Sequence, residues 1–339
     1  MQGKVMSEQS APVRPVVHLG IDVCKATLDV HVLATDDTVD LAFAVDNSKK
    51  GIKTLIKQLA AYAVKGIAME ATGKYHRDPH RRLHDVGYAV TVVNPMRARQ
   101  FAYALGTVAK TDQVDARLLA RFARSGELKT TPPPPEVLEA LQEIVRSREA
   151  AVAAHTALTN QYKAATIREV KLIIKRQMGA AKEAAKALAA RAAAVVTAQP
   201  ELARRRDILV SIPGIGMVTA IGLIANFPEL GTCSSKQCAM LAGVAPIARD
   251  SGTTKGHRAI SGGRPQVRTG TYMAAVSAIV HNADLRRFYN NLVGRGKVKK
   301  VALTAVIRKL LVLANSLLAA DRIWSLKAPI AKPLSSLST

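Results

Sequence analysis

The chain has 339 residues, 49 of them lysine or arginine and 25 aspartate or glutamate, for a formal net charge of +24. That length exceeds what one ordinary core needs and points to about two domains; the surplus of positive charge goes far beyond the needs of solubility and implies a polyanionic partner, nucleic acid before any other. No signal peptide opens the chain and no apolar run reaches the ~18 residues of a spanning helix, so the expected setting is the cytoplasm, in association with the nucleoid and not with a membrane. The three cysteines, Cys24, Cys233 and Cys238, form no C-x-x-C pair, which argues against both a disulfide framework and a zinc site.

Residues 1–14 are polar and read as a disordered arm. The stretch VVHLGIDVCKATLDVHVLA predicts two strands joined by a turn around Lys25, and LAFAVDN a third, from their β-branched content and partial alternation. Ser48 can cap a helix over Lys49–Tyr62; GIAMEA is an apolar run suited to a buried strand, followed by a helix over Lys74–Asp85 and a strand YAVTVVN. Three strands followed by helix–strand alternation predict an α/β domain over residues 15–129, with a mixed sheet flanked by helices in the ribonuclease H-like order.

In that arrangement Asp22 and Glu70 stand at the ends of neighbouring central strands. The next segment, AKTDQVDARLLAR, places Asp112 and Asp115 at i and i+3, on one face of a helix that crosses the sheet. Four carboxylates from separate elements form a candidate divalent-metal site. Mg²⁺ prefers oxygen ligands in octahedral geometry, and two ions ~3.5–4 Å apart can hold a phosphodiester between its attacking and leaving oxygens. Without a cation the acids would repel one another, with Lys110 and Arg117 relieving part of the charge; a structural ion-pair network is the competing reading. His76, His80 and His84, at i, i+4 and i+8, make a rival metal face. Pro79 interrupts it, and the neighbouring Arg77, Arg81 and Arg82 make a basic, nucleic-acid-facing helix the better reading.

The run TTPPPP cannot continue a helix and marks a linker at residues 130–135. Residues 136–200 are rich in Ala, Glu, Lys and Arg. Leu138, Val145 and Val152 repeat every seven residues, as do Ala181, Leu188 and Val195, predicting two long helices in an antiparallel hairpin or an intermolecular coiled coil. A mainly helical segment follows over 201–326, with a short tail at 327–339. It opens with SIPGIG, the pattern of a helix–hairpin–helix whose Gly214 and Gly216 can offer backbone N–H groups to a phosphate. Further on, Lys255, His257, Arg258, Arg264 and Arg268 surround Ser261 in a Gly-rich loop. That serine can be a phosphate-binding hydroxyl, a helix-start residue or a nucleophile. A basic turn with Lys297, Lys299 and Lys300 precedes an apolar helix over Val301–Ala320 that should be buried.

Taken together, GIDVCKATLDV, MEATGKY, KTDQVDAR, SIPGIG, LAGVAP and ISGGRPQVR resemble the insertion-sequence transposases that join an N-terminal RuvC-like DEDD domain to a C-terminal serine-containing transposase domain, a family that includes Piv-type invertases and bridge-RNA-guided recombinases. The resemblance covers nearly the whole chain. It implies a Mg²⁺-assisted DNA strand-exchange enzyme with Asp22, Glu70, Asp112 and Asp115 as the DEDD acids and Ser261 as a nucleophile that links covalently to DNA. It also implies a structured guide RNA that pairs with donor and target DNA, and a homo-oligomer, a dimer or a tetramer on DNA, in which one subunit's acids meet another's serine. The chain departs from the family after QVR, where Thr269, Gly270 and Thr271 replace the usual Arg-Ala-Leu. Two other functions fit the same residues: a RuvC-like nuclease or junction resolvase without a covalent intermediate, and a non-catalytic nucleic-acid scaffold.

Overall fold

The structure, a computed structural model, describes residues 14–325 except 37, 107–111, 249, 254, 255 and 257, together with the side chains of all but 112–114 among them. The expected arm up to residue 13, the tail, Lys110, Lys255, His257 and the carboxylate of Asp112 therefore lie outside the described residues. The chain divides into two units, Met1–Pro134 and Pro135–Thr339.

In the first unit, β1 (Val16–Val23), β2 (Thr27–Ala34), β3 (Asp40–Asp46), β4 (Ala63–Glu70) and β5 (Val90–Val93) form a five-stranded mixed sheet in the order β3-β2-β1-β4-β5. The first three strands run antiparallel, while β4 lies parallel to β1 and β5 to β4. Side chains alternate between the two faces, so the register decides which residues meet which helix. Val17, Leu19, Ile21 and Val23 of β1 join Leu28, Val30 and Val32 of β2 and Ile67 and Met69 of β4 on one buried face. That face packs on Ile52, Leu55 and Leu59 of α1 (Lys49–Leu59) and on Leu83 of α2 (Arg77–Asp85). The opposite face carries Gly20, Asp22, Ala68, Glu70 and Val93. It is covered by α3 (Pro95–Ala104) and α4 (Asp112–Arg124), whose Ala98, Leu119 and Phe122 bury Ala68 and Val93. The Phe101 and Phe122 rings stack 4.3 Å apart and hold the two helices together. A mixed sheet with helices on both faces is consistent with a ribonuclease H-like DEDD domain.

Gly20 sets how closely α4 lies on the sheet. A Cβ at this position would fall 1.9 Å from the Ala116 carbonyl oxygen and 2.3 Å from the Ala120 nitrogen, so the helix backbone rests directly on β1. Helix α3 is absent from the elements expected above, although Asn94 accepts the Met96 N–H at 2.8 Å and Pro95 occupies the first turn, which together specify a helix start. Helix α2 starts three residues later than expected: Thr72–His76 make turns instead, closed by the Tyr75 N–H to the Thr72 carbonyl and the Arg77 N–H to the Lys74 carbonyl.

The proline-rich segment runs along the edge strand β5. The Thr131 N–H donates to Val90 O at 2.8 Å, the Thr91 hydroxyl to Lys129 O at 2.8 Å, and Arg81 to Pro134 O at 2.8 Å. His80 Nε2 lies 2.7 Å from Thr131 O, and burial holds the ring's pKa below its ordinary value. His80 is thus a neutral brace, and Arg81, expected to face nucleic acid, is a second one.

The second unit begins with α5 (Glu136–Ala164) and α6 (Arg168–Thr197), joined by a short turn into an antiparallel hairpin. Its base, at Leu141, Val145, Ala192 and Val196, enters the core shared by α7 (Pro200–Ser211), α8 (Met217–Asn226), α9 (Ser235–Leu241), α10 (Pro265–His281), α11 (Ala283–Gly294) and α12 (Lys299–Ala319). The two-residue strands β6 (Pro246–Ile247) and β7 (Ala259–Ile260) pair antiparallel between α9 and α10. The apolar helix expected over Val301–Ala320 is α12; by length and composition alone it could cross a membrane, and half of that apolar stretch, including Leu310, Leu311 and Ala314, is buried in this core.

Gly20→Ala should therefore force α4 off the sheet. Overpacking of this kind costs roughly 1–3 kcal/mol, read as a lowered midpoint in urea unfolding of the full chain; an unchanged midpoint would mean that α4 does not rest on β1.

Candidate functional site

The strand register builds the first half of the site. Ile21 pairs with Met69 across the parallel β1–β4 ladder, so Asp22 and Glu70 occupy the next positions along it, on the face that α4 covers. Glu70 and Asp115 line one cleft of about 390 Å³, floored by Pro95, Ala98 and Ala102 of α3 and by Leu118 and Leu119 of α4. Asp22 is half-buried, and its Oδ1 accepts the Val23 N–H at 2.9 Å. Three of the four expected acids thus come from the elements the sequence assigned to them. Among the described residues no three His, Cys, Asp or Glu side chains are gathered closely enough to hold a metal ion, and the carboxylate of Asp112 lies outside that description. Glu70 and Asp115 offer oxygen donors, the kind a hard divalent cation takes, from one cleft, so the residues fit such an ion in chemistry but are not gathered around one point in this structure.

Two residues of this half escaped the sequence reading. Asp29 sits directly opposite Asp22 in the antiparallel β1–β2 register, a further acid on the same face. Like charges so placed repel, and the symmetry of GIDVCKATLDV about its turn could have revealed the pair. Arg99 reaches the cleft from α3, its guanidinium 4.9 Å from the Tyr103 ring centre and its Nε donating to the Tyr103 hydroxyl at 3.2 Å. Arg117, expected to relieve the acid cluster, serves another carboxylate: its Nη2 lies 2.5 Å from Asp40 Oδ2 on β3. Buried His31 completes this contact, with Nε2 2.7 Å from Asp40 Oδ1 but off the line of a well-directed hydrogen bond. Desolvation pushes the His31 pKa down and leaves the ring neutral. The Asp40 carboxyl stays below its ordinary value because Arg117 and His31 outweigh its own desolvation.

Ser261 belongs to the second unit and follows β7 directly, exposed to solvent. The loop beneath it is fixed by backbone contacts. Gly262 and Gly263 adopt positive φ, and a Cβ on Gly263 would lie 2.2 Å from the Gly243 nitrogen. The Arg264 N–H donates to Leu241 O at 2.8 Å, and Arg268 Nη1 donates to Gly262 O at 2.9 Å and Gly243 O at 3.2 Å. LAGVAP and ISGGRPQVR are therefore two halves of one packed turn.

These contacts revise the expected cationic field around the serine. The Arg264 fork makes two bonds to Glu229, at 2.5 and 2.6 Å, and stacks over the Phe227 ring. Arg258 lies 3.5 Å from Asp250, and Arg268 is engaged with carbonyls. Desolvation alone would raise the Glu229 pKa, but the bonds from Arg264 hold it below the ordinary carboxylate range. Gly214 likewise has a packing reason, since a Cβ there would come within 2.5–2.7 Å of Ala278 on α10; Gly216 caps α8 with open space beside it. Lys297, Lys299 and Lys300 are exposed at the start of α12, and Arg77 is half-buried. In the departure from the family pattern, the Thr271 hydroxyl bonds to Val267 O at 2.7 Å, and a Cβ on Gly270 would meet nothing within 4 Å.

Two measurements follow from this loop. Gly270→Ala should stabilise the protein by up to about 1 kcal/mol, because a helix gains an alanine at no steric cost; a lowered thermal midpoint would contradict the open environment. Arg264→Ala should destabilise by about 1–2 kcal/mol after allowance for solvent screening. Because the folded Glu229 pKa is depressed, the pair's stabilisation is present above the ordinary glutamate value near 4.5 and lost as pH falls through the lower folded value. The gap between wild type and variant in urea midpoints should narrow on acidification, and a constant gap would refute the pairing.

The chain's relatives bear on both halves. A family model of the DEDD transposases of IS110, described as a transposase, matches residues 19–170, and one described as the transposase IS116/IS110/IS902 family matches residues 206–290. The pilin gene-inverting protein of Moraxella bovis is 26% identical over 313 residues, 90% of this chain and 96% of that protein, and its counterpart from Moraxella lacunata is 25% identical over the same span. A 43.6 kDa protein of insertion element IS110 from Streptomyces coelicolor is 30% identical over 130 residues, 38% of this chain and 31% of its own. The first family match spans β1 through the cleft acids and the second spans the serine loop, so the chain is a DNA transposase or recombinase, both of whose parts match models of IS110-type transposases.

Proposed function

We propose that this transposase cuts and rejoins DNA through a covalent serine intermediate, with Asp22, Glu70, Asp112 and Asp115 as the acids of a Mg²⁺-dependent centre and Ser261 as the nucleophile. The observation that carries the reading is Ser261 itself: an exposed hydroxyl on a loop that glycine contacts and Arg268 hold still. A fixed nucleophile loses less freedom on reaching the phosphate, which favours attack. In the first step the Ser261 hydroxyl gives up its proton, its oxygen bonds to phosphorus, and the bond to the leaving strand's oxygen breaks as that oxygen takes up a proton. In the second, a hydroxyl of the new partner strand attacks the same phosphorus and releases the serine. Mg²⁺ held by the acids would polarise the phosphate. Arg99, beside Glu70 and Asp115, would meet a phosphate oxygen with its guanidinium.

The two relatives matched over most of their length are named for inverting a pilin gene, and inversion requires rejoining as well as cutting. That favours strand exchange over plain hydrolysis. The acids and the serine lie in different units, which is compatible with composite sites in an oligomer, the acids of one subunit acting beside the serine of another. A structured guide RNA pairing with donor and target DNA completes the reading, and the net charge of +24 is compatible with binding both nucleic acids.

The test is a denaturing gel of labelled DNA incubated with the protein, Mg²⁺ and the RNA transcribed from the flank of its gene. Wild type should give a protease-sensitive adduct. Ser261→Ala should abolish it while leaving binding nearly intact, and Asp115→Asn should abolish recombination. An adduct that persists in Ser261→Ala excludes this serine as the nucleophile, and metal-dependent cleavage with no adduct in wild type would favour a nuclease.

A further inference from the structure

The sheet face opposite the carboxylate cleft carries a feature that this chemistry does not use. Helix α1, KKGIKTLIKQL, contains four lysines and no acid. Lys49, Lys53 and Lys57 recur every four residues, so they form one stripe with charges about 6 Å apart along the axis. All three are exposed, as is Lys50, while Ile52, Leu55 and Leu59 bury the helix's other side in the sheet core. No carboxylate among the described residues pairs with any of the four. Like charges at i and i+4 destabilise a helix, and here the Ser48 cap, which accepts the Gly51 N–H at 3.1 Å, and the buried face hold α1 in place against that repulsion. Lys49 and Lys53 also line a groove of about 450 Å³ with Arg82 of α2; Arg82 bonds to Asp78 at 2.9 Å, and Asp85 lies in the same groove.

We propose that this stripe is a second nucleic-acid surface, which holds the sugar–phosphate backbone of duplex DNA on the side of the first unit away from its acids. A polyanion relieves the repulsion that the sequence builds into α1. The chemistry favours a duplex backbone over a single strand, because α1 has no aromatic side chain on which bases could stack. It favours sequence-independent contact because lysines are point charges without the bidentate geometry that reads base edges. The proposal rests on the protein's action on DNA but not on Ser261, so the two can fail separately.

The experiment measures binding of the full-length protein to a labelled DNA duplex over a series of salt concentrations, comparing wild type with the triple variant Lys49→Gln, Lys53→Gln, Lys57→Gln. Each lost phosphate contact lowers the log–log salt slope by about 0.9, so the slope should fall by about 2–3. The adduct yield at saturating protein should stay within about twofold of wild type. An unchanged slope on duplex DNA, or a change seen only with structured RNA, would overturn the proposal. Lysine acetylation of the wild-type protein supplies a reading free of any folding defect: Lys49, Lys53 and Lys57 should be protected when duplex is bound, and equal labelling with and without duplex would also overturn it.

Discussion

The contact on which the first unit depends is the one between Gly20 and α4. Because a glycine occupies the middle of β1, the backbone of Ala116–Ala120 lies against the strand with no side chain between them. One residue before that contact is Asp115, and two residues after Gly20 is Asp22. The spacing of a helix and the alternation of a strand then fix where both acids emerge. Burial of Leu119 and Phe122 supplies the larger share of the energy, about 1.5–3 kcal/mol for each fully buried side chain. The exposed Arg117–Asp40 pair contributes at most about 1 kcal/mol and serves to set the rotation of α4 about its axis.

The second unit repeats the device with a turn. Gly243 and Gly263 meet backbone to backbone, and Arg268 spans the contact through the carbonyls of Gly243 and Gly262. Ser261 stands two residues from that junction. In both units a candidate catalytic group is displayed beside a point where two backbones touch, so its placement depends on packing of main chain and little on the rotamers of long side chains. The Glu229–Arg264 pair anchors the following helix, which explains why an arginine at the start of α10 is committed to a carboxylate and not held free for phosphate.

Much of this was legible in the residues. β-Branched alternation in VVHLGIDV and TLDVHVLA reports two strands and their buried faces, and GIAMEA reports a strand covered on both sides, which is how Asp22 and Glu70 could be assigned to neighbouring strand ends. The seven-residue spacing announces the two long helices α5 and α6 but not their buried base: of its residues only Val145 is buried there, beside Leu141, Ala192 and Val196, and Val152 is exposed. What escaped was set by long-range pairing. Glu229 and Arg264 are 35 residues apart and nothing local links them; Arg81 is drawn inward by Pro134, 53 residues on. The strands β6 and β7 are two residues each, too short for any period to register. The like-charged stripe of α1 is written openly in KKGIKTLIKQL, but only the structure shows that no acid among the described residues pairs with it.

The central proposal is that Asp115 on α4 and Asp22 and Glu70 at the neighbouring strand ends, not gathered around one point in this structure, close on one divalent ion when it binds. Anomalous diffraction from crystals grown with Mn²⁺ in place of Mg²⁺ tests it most directly. The account predicts a peak in the cleft within coordination distance of carboxylate oxygens of Asp115, Glu70 and Asp22, lost in Asp115→Asn; a peak elsewhere with the cleft empty, or a cleft peak unchanged by that substitution, would contradict it.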